Sequence, residues 1–202
     1  MKKIALIITI LFMVVSGKSF SQDQQEQKKA QIKPALVIID IQNVYLSLMA
    51  EREREVAMYY INGLIELFRS NGYPIIRIYH HDKEYGPEPG SEQFEYPTSV
   101  LIRDDDPKVI KTYGDGFNKT DLDEIIREKG SNTLFLCGLS AVGCVLATSI
   151  GAQDHDYKAF MVKDAIMSHN ADYTNHVEDM FDAVGFDVVK FILENSEKQA
   201  IR

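Results

Sequence analysis

The sequence has fewer basic than acidic residues, and it has no cluster of basic residues. It carries 22 lysines and arginines against 30 aspartates and glutamates, a formal net charge of −8 at pH 7. Nucleic acids and anionic lipid surfaces attract proteins through concentrated positive charge, which this chain lacks. The composition therefore disfavours a protein that binds nucleic acid or a membrane surface.

Cysteine is scarce as well, with two residues, Cys137 and Cys144. No cysteine follows the apolar run near the N terminus, which excludes a bacterial lipid anchor. Cys137 lies in a predicted strand and Cys144 in the next predicted helix, whereas a disulfide needs Cα atoms within about 7 Å. We therefore expect two free thiols, and one of them is a candidate nucleophile.

The N-terminal segment has the pattern of a secretory signal peptide. Met1-Lys2-Lys3 is basic, residues 4–15 are almost wholly apolar, and Ser19-Phe20-Ser21 offers small residues at a cleavage site. We expect signal peptide 1–21 to be removed and residues 22–33 to form a flexible polar leader. Because residues 1–21 contain three lysines and no acid, the net charge becomes −11. The predicted location is the periplasm or the medium of a bacterium, although a retained N-terminal anchor is the alternative.

Residues 34–202 are predicted to form one α/β domain. Short apolar runs alternate with segments of helical spacing, which is typical of a mostly parallel sheet with helices on both faces. We predict three layers and six strands in the order 3-2-1-4-5-6. The predicted strands are 35–40, 74–80, 108–111, 133–137, 158–162 and 187–191, and the predicted helices are 51–70, 120–129, 142–154 and 171–184.

This topology brings two reactive side chains together. Open parallel sheets bind ligands outside the carboxyl ends of the strands, where the strand order reverses. Asp40 ends strand 1 and Cys144 follows strand 4, and these strands flank that point. Cys144 is also predicted in the first turn of a helix, where free N–H groups and the helix dipole lower a thiol pKa. No glycine-rich phosphate-binding turn follows strand 1, which argues against a dinucleotide site.

Residues 81–106 are predicted to form a long loop, because this stretch contains five glycines and prolines: Gly86, Pro87, Pro89, Gly90 and Pro97. A loop of this length in a compact domain is usually functional or disordered. It follows strand 2, so it begins at the same edge of the sheet as Asp40. We expect it to border the substrate pocket.

Four sets of residues, in this order, resemble the motifs of the isochorismatase-like cysteine hydrolase superfamily. They are Asp40-Ile41-Gln42-Asn43; Val109-Ile110-Lys111 with Gly116-Phe117 and Thr120-Asp121-Leu122; Gly138-Leu139-Ser140 through Cys144-Val145; and Val162-Lys163-Asp164-Ala165. Each motif is weak alone, but four in order are specific. The resemblance covers about residues 34–193.

The resemblance implies a catalytic set of aspartate, lysine and cysteine, which falls by motif position on Asp40, Lys111 and Cys144. It implies a cis peptide bond at Leu139–Ser140 and an oxyanion hole formed by the N–H groups of Ser140 and Cys144. The implied activity is cleavage of a C–N bond in a small amide, imide or carbamoyl compound through a thioester. Relatives commonly associate, so a homo-oligomer is implied too.

The predicted substrate pocket is built from side chains near the same edge of the sheet. Its members are Gln42, Tyr45, His80, Tyr113 and Phe117. The nicotinamidase branch of the superfamily binds a metal through an Asp-x-His motif, but this chain has His80-His81-Asp82 there. We therefore predict no metal and no other cofactor.

Two further departures from the family pattern leave the activity open. Ala141 and Val142 stand where the family often has threonine and then an acid or asparagine, and Val44 replaces a usual acid. These changes are compatible with a catalytically silent member that binds a small molecule. Isochorismate-type ether cleavage is a second alternative. That branch does not use a cysteine nucleophile, so the presence of Cys144 argues against it.

Overall fold

The structure is a computed structural model that describes residues 31–196, and the predicted signal peptide and residues 22–30 lie outside the described residues. Five strands form one parallel sheet in the order β3-β2-β1-β4-β5. The strands are β1 (Pro34–Ile39), β2 (Ile75–His80), β3 (Lys108–Lys111), β4 (Thr133–Leu139) and β5 (Lys158–Met167). The helices are α1 (Asn43–Leu46), α2 (Glu51–Ser70), α3 (Leu122–Glu128), α4 (Leu146–Asp154), α5 (Ala171–Met180) and α6 (Phe186–Asn195), with a π-helical turn (Ala141–Val145) before α4.

Helices cover both faces of the sheet, which confirms the three-layer α/β prediction. Every residue of β1 is buried, and its side chains alternate between two apolar cores. Leu36 and Ile38 pack with α2 and α6, whereas Val37 and Ile39 pack with α3, α4 and α5. A strand with both faces buried needs apolar residues at consecutive positions, which explains the unbroken apolar run.

The predicted sixth strand at 187–191 is wrong, because these residues belong to helix α6. Val189 and Leu193 are buried and lie four residues apart, whereas Val188 and Phe191 are 48% and 67% exposed. Residues four apart share one face of a helix, while a strand would bury every second residue. Apolar residues on both faces of α6 hid the helical period in the sequence.

Other element boundaries move by a few residues. Strand β5 continues to Met167 rather than ending at residue 162, and α5 ends at Met180 rather than at residue 184. Helix α3 begins after Asp121, not after the predicted cap Thr120. Within residues 31–196, no helix combines the length and the apolar character that a membrane span requires.

Gly138 lets the end of β4 lie closely against β1. Its φ is +114°, and a Cβ at this position would overlap the main chain of Ile39. We expect Gly138→Ala to lower the free energy of unfolding by more than the roughly 1–2 kcal/mol that a left-handed conformation costs a residue with a Cβ. Urea unfolding measures this loss.

Gly72→Ala is the matched control for Gly138→Ala. Gly72 has a φ of +76°, and no atom lies within 4 Å of where its Cβ would be. The loss of unfolding free energy in Gly72→Ala therefore measures only the cost of the left-handed backbone conformation. Equal losses in the two variants would show that the close approach to Ile39 does not matter for stability.

Candidate active site

A buried ion pair lies at the carboxyl ends of β1 and β3. Lys111 Nζ donates to Asp40 Oδ2 over 2.7 Å, and the two side chains are 0% and 2% exposed. Strand β2 pairs with both β1 and β3, so the topology brings together residues 71 positions apart. A buried pair of charges needs further hydrogen bonds to offset the loss of water.

Lys111 has an acceptor for each proton of its ammonium. Besides Asp40, it donates to the Tyr113 carbonyl over 3.1 Å, and its Nζ lies 3.2 Å from His80 Nδ1. Because an ammonium only donates, His80 Nδ1 is the acceptor and carries no proton. Burial and the nearby Lys111 lower the pKa of His80, which favours this neutral imidazole.

Gln42 holds the main chain of His80. Its Oε1 accepts from the His80 N–H over 2.7 Å, and its Nε2 donates to the His80 carbonyl over 3.0 Å. The Gln42 side chain is fully buried. We predicted Gln42 as a substrate contact; in the structure its amide is hydrogen-bonded at both ends to the main chain of His80, at the end of β2.

Cys144 follows β4 as predicted and lies directly after a kink at Gly143 that precedes α4. It belongs to the π-helical turn Ala141–Val145, and α4 begins only at Leu146. Gly143 interrupts the helical geometry with φ −126° and ψ −107°. From Cys144 onward the chain is helical into α4, so the thiol lies at the start of a helix as predicted, and burial opposes the effect of the helix dipole on its pKa.

The three predicted catalytic side chains lie in one cluster. One carboxylate oxygen of Asp40, one ring nitrogen of His80 and Sγ of Cys144 lie within 4.8 Å of one another. Lys111 contacts both Asp40 and His80 directly. Asp40 Oδ1 is buried and has no hydrogen-bond partner among the described residues, so it is free to accept a proton from a nearby group.

The pKa of the Cys144 thiol is raised to about 12, whereas we predicted a lowered pKa. Burial is the largest cause and the Asp40 carboxylate adds to it, while Lys111 acts in the opposite direction. Burial also raises the pKa of Asp40, against the opposing effect of Lys111. At neutral pH the thiol is therefore protonated, and Asp40 is a stronger base than an exposed carboxylate.

The turn before Cys144 contains the cis Leu139–Ser140 peptide bond that the resemblance implied. The Ser140 carbonyl accepts from the N–H groups of Gly143 and Val145 over 2.9 and 3.2 Å. Ser140 Oγ lies 3.2 Å from Ser168 Oγ, beyond the end of β5. These contacts place Ser140 and Cys144, the predicted oxyanion-hole residues, in one turn.

Tyr45 and Tyr113 lie beside this cluster. The Tyr45 ring centroid is 5.9 Å from that of His80, and burial together with Asp40 raises the pKa of Tyr45 to about 12. The Tyr45 hydroxyl therefore stays protonated and can donate. Tyr113 is 41% exposed, and its hydroxyl accepts from Lys119 Nζ over 3.0 Å.

Phe117 lies in the apolar core, unlike the two tyrosines. It is 6% exposed, and its ring stacks on those of His155 and Tyr157 at centroid distances of 4.8 and 5.9 Å. We predicted Phe117 as a substrate contact, but the structure places the ring in the packing under α3 and α4. Its position supports the loop that follows Lys111.

The long loop after β2 begins next to His80 and contains no helix or strand. The N–H groups of Asn43 and Val44 donate to the carbonyls of Glu95 and Gln93, which joins the loop to α1. Tyr96 is buried, and its hydroxyl lies 2.6 Å from the Ile78 carbonyl. The loop therefore fixes α1, the helix that carries Tyr45.

The oxygen, nitrogen and sulfur atoms of Asp40, His80 and Cys144 are ligand types that zinc accepts. A metal ion does not fit among them in this arrangement. The Lys111 ammonium lies 2.7 Å from Asp40 Oδ2 and 3.2 Å from His80 Nδ1, so a metal would face a positive charge at close range. The cluster suits proton transfer better than metal binding.

Sequence reasoning missed the contact between His80 and Lys111 and the support from Gln42. Strand register was the signal that could have found the first, because His80 and Lys111 are directly paired in β2 and β3. Register follows only after the order and alignment of the strands are known. The Gln42 contacts depend on the turn after β1, which no pattern in the sequence predicts.

A family model and two relatives of known sequence match most of this domain. The family model of the isochorismatase domain matches residues 34–190. The isochorismatase family protein YrdC of Bacillus subtilis is 28% identical over 136 residues, which cover 66% of this chain and 73% of that protein. The secreted isochorismatase effector Isc1 of Verticillium dahliae is 25% identical over 134 residues, 65% of this chain and 70% of that protein.

A solved structure agrees with these matches. The N-carbamoylsarcosine amidase of Thermoplasma acidophilum superposes with a TM-score of 0.66 and 25% sequence identity, covering 76% of this chain and 95% of that chain. Its fold and the domain match extend over the same sheet that positions Asp40, Lys111 and Cys144. The chain belongs to the isochorismatase domain family and is a hydrolase of that family.

Proposed function

We propose that this protein is a cysteine hydrolase that cleaves a C–N bond of a small amide, imide or carbamoyl compound. The observation that carries the proposal is the buried Lys111–Asp40 ion pair with Cys144 Sγ within 4.8 Å of the carboxylate. A thiol beside a base, with the base held by a third group, is the arrangement of an activated nucleophile. The similarity to N-carbamoylsarcosine amidase supports a C–N bond as the target.

In the first half-reaction, Asp40 takes the proton of the Cys144 thiol while the sulfur attacks the carbonyl carbon. The N–H groups of Ser140 and Cys144 stabilise the negative oxygen that forms. Asp40 then gives its proton to the leaving nitrogen, the C–N bond breaks, and a thioester remains. Because burial raises the pKa of Asp40, the carboxylate is a better acceptor for the thiol proton than an ordinary aspartate.

In the second half-reaction, a water molecule attacks the thioester. Asp40 accepts a proton from this water, the carbon–sulfur bond breaks, and Cys144 regains a proton as the acid product leaves. Lys111 does not exchange protons in this scheme, because its ammonium donates to Asp40, His80 and Tyr113. Its positive charge stabilises the carboxylate form of Asp40, which is present before each proton is taken up and again after it is released.

The substrate would bind above the cluster, between α1 and the loop after β3. Tyr45 and His80 offer neutral donors on one side, and Tyr113 lies at the exposed edge beside Lys119. No carboxylate among the described residues forms an ion pair with Lys119. These side chains suit a small polar substrate.

A trapped acyl-enzyme tests the proposed function. We expect wild-type protein that is incubated with a panel of amides and carbamoyl compounds and then quenched in acid to gain the acyl mass on the peptide that contains Cys144. Cys144→Ala should show neither adduct nor turnover, and Cys137→Ala should keep both. Turnover that survives in Cys144→Ala would contradict the mechanism. Ligand binding without any turnover by wild-type protein would favour the silent binding member.

We also propose that the protein is exported and cleaved after Ser21. The basic, apolar and small-residue pattern of residues 1–21 supports this, and one relative is a secreted effector. Protein recovered from the periplasm or medium should begin at Gln22 on N-terminal sequencing. Full-length protein confined to the cytoplasm would contradict export without affecting the proposed chemistry.

A further inference from the structure

We propose that His80, held by Gln42, is a positioning residue that keeps the Lys111 ammonium against Asp40 during the reaction. This inference rests on the proposed function, because it concerns the same proton transfers. In this role His80 acts through Lys111. Neither the family motifs nor the assigned catalytic set includes such a role.

Strand register sets up the contact. His80 and Lys111 are paired at the last positions of β2 and β3, and Lys111 Nζ lies 3.2 Å from His80 Nδ1. The two other acceptors of the ammonium are the Asp40 carboxylate and the Tyr113 carbonyl. His80 therefore supplies the third contact, which leaves the ammonium no freedom to turn away from Asp40.

Gln42 makes this contact rigid. Its two hydrogen bonds, 2.7 and 3.0 Å long, bind the N–H and the carbonyl of His80 itself. Gln42 is only two residues after Asp40, so one short segment presents the base and also secures the residue opposite Lys111. A fully buried amide that is hydrogen-bonded at both ends to one residue is well suited to hold that residue in place.

Removing the imidazole should change how Asp40 titrates. Without His80, a buried N–H of Lys111 loses its partner, and the ammonium is expected to move or to admit water. The attraction that holds Asp40 in its charged form then weakens, while the burial that opposes the charge remains. The carboxylate should therefore gain its proton at a higher pH than in the wild-type protein.

The groups that face His80 come from several elements. They are Lys111 on β3, Asp40 after β1, Tyr45 on α1, Cys144 on the π-helical turn, and His81 and Asp82 on the loop after β2. The Asp82 carboxylate accepts from two loop N–H groups over 2.8 and 3.0 Å, which lowers its pKa. Tyr45 and Cys144 have pKa values raised to about 12. Asp82, Tyr45 and Cys144 therefore titrate outside the acid side of the rate profile, which includes the titration of Asp40.

The test is the dependence of kcat/KM on pH, from about pH 4 to 9, for wild-type protein, His80→Ala, His80→Asn and the control His176→Ala. In His80→Ala, the plateau should fall about 10- to 100-fold, the size of a hydrogen bond to a charged group. The acid limb should move up by about one pH unit. His80→Asn retains an acceptor near the position of Nδ1 and should bring both values back toward wild type. His176 is exposed on α5 and should change neither value.

The shift of the acid limb separates positioning from simple damage. A partly misfolded variant loses plateau activity, but its remaining active fraction keeps the wild-type limb. An unmoved limb in His80→Ala would overturn the inference, as would an asparagine variant that behaves like the alanine variant. Turnover in Cys144→Ala would instead remove the proposed function itself, so the two failures are distinguishable.

Discussion

Asp40→Asn should slow acylation of Cys144 by about 10²- to 10⁴-fold, the usual effect of losing a general base. Asparagine keeps the size of the side chain and an acceptor for Lys111, but it cannot take the thiol proton. The thiol pKa of about 12 makes this loss severe, because little thiolate exists at neutral pH without a base. Single-turnover reactions quenched in acid and followed by mass spectrometry measure the acylation rate.

The control for this variant is Asp105→Asn, an exposed aspartate in the loop after β2. It changes the net charge equally and should acylate at the wild-type rate. Because Asp40→Asn leaves the buried Lys111 without an anionic partner, its free energy of unfolding should be measured in parallel. Acylation at the wild-type rate by a folded Asp40→Asn variant would remove Asp40 from the mechanism.

Alkylation of Cys144 should respond to Asp40→Asn in the opposite direction. Only the thiolate reacts with iodoacetamide, and the Asp40 carboxylate is one of the causes that raise the thiol pKa. The wild-type rate should be low at pH 7 and should rise about tenfold per pH unit, because the pH stays below the pKa of about 12. Removing the negative charge lowers that pKa, so Asp40→Asn should alkylate faster at each pH while it turns over more slowly.

Two further measurements complete this experiment. They are the labelling of Cys137 in the wild-type protein and the alkylation rate of Cys144 in Lys111→Ala. Cys137 is fully buried in β4 and burial raises its pKa strongly, so its peptide should stay unlabelled while the protein is folded. Lys111→Ala removes the charge that lowers the Cys144 pKa, so alkylation should slow further. Peptide mapping assigns the label. A wild-type rate that already levels off near pH 7 would show a stable thiolate and contradict the raised pKa.

The order of the first five strands was predictable, because buried parallel strands need continuous apolar runs that can be placed along the chain. The run that ends at Asp40 belongs to a strand covered on both faces, as predicted, and the first five strands follow the predicted order. The strand predicted at 187–191 was wrong because α6 also carries adjacent apolar residues. A short apolar run does not reveal whether its period is that of a strand or of a helix. Five residues cannot decide between a strand and a helix when both faces are apolar.

By itself, the sequence determined the α/β class, the family motifs and the meeting of Asp40 and Cys144 at one edge of the sheet, and the family resemblance implied Lys111. Each of these depends on local residue type and on the order of elements along the chain. Only the tertiary structure decided the protonation of the site, because pKa values depend on burial and on charges brought together from distant segments. Hence the sequence pointed to a reactive thiolate at a helix start. The folded chain instead has a protonated thiol beside a buried carboxylate, with Lys111 held by His80 and Gln42.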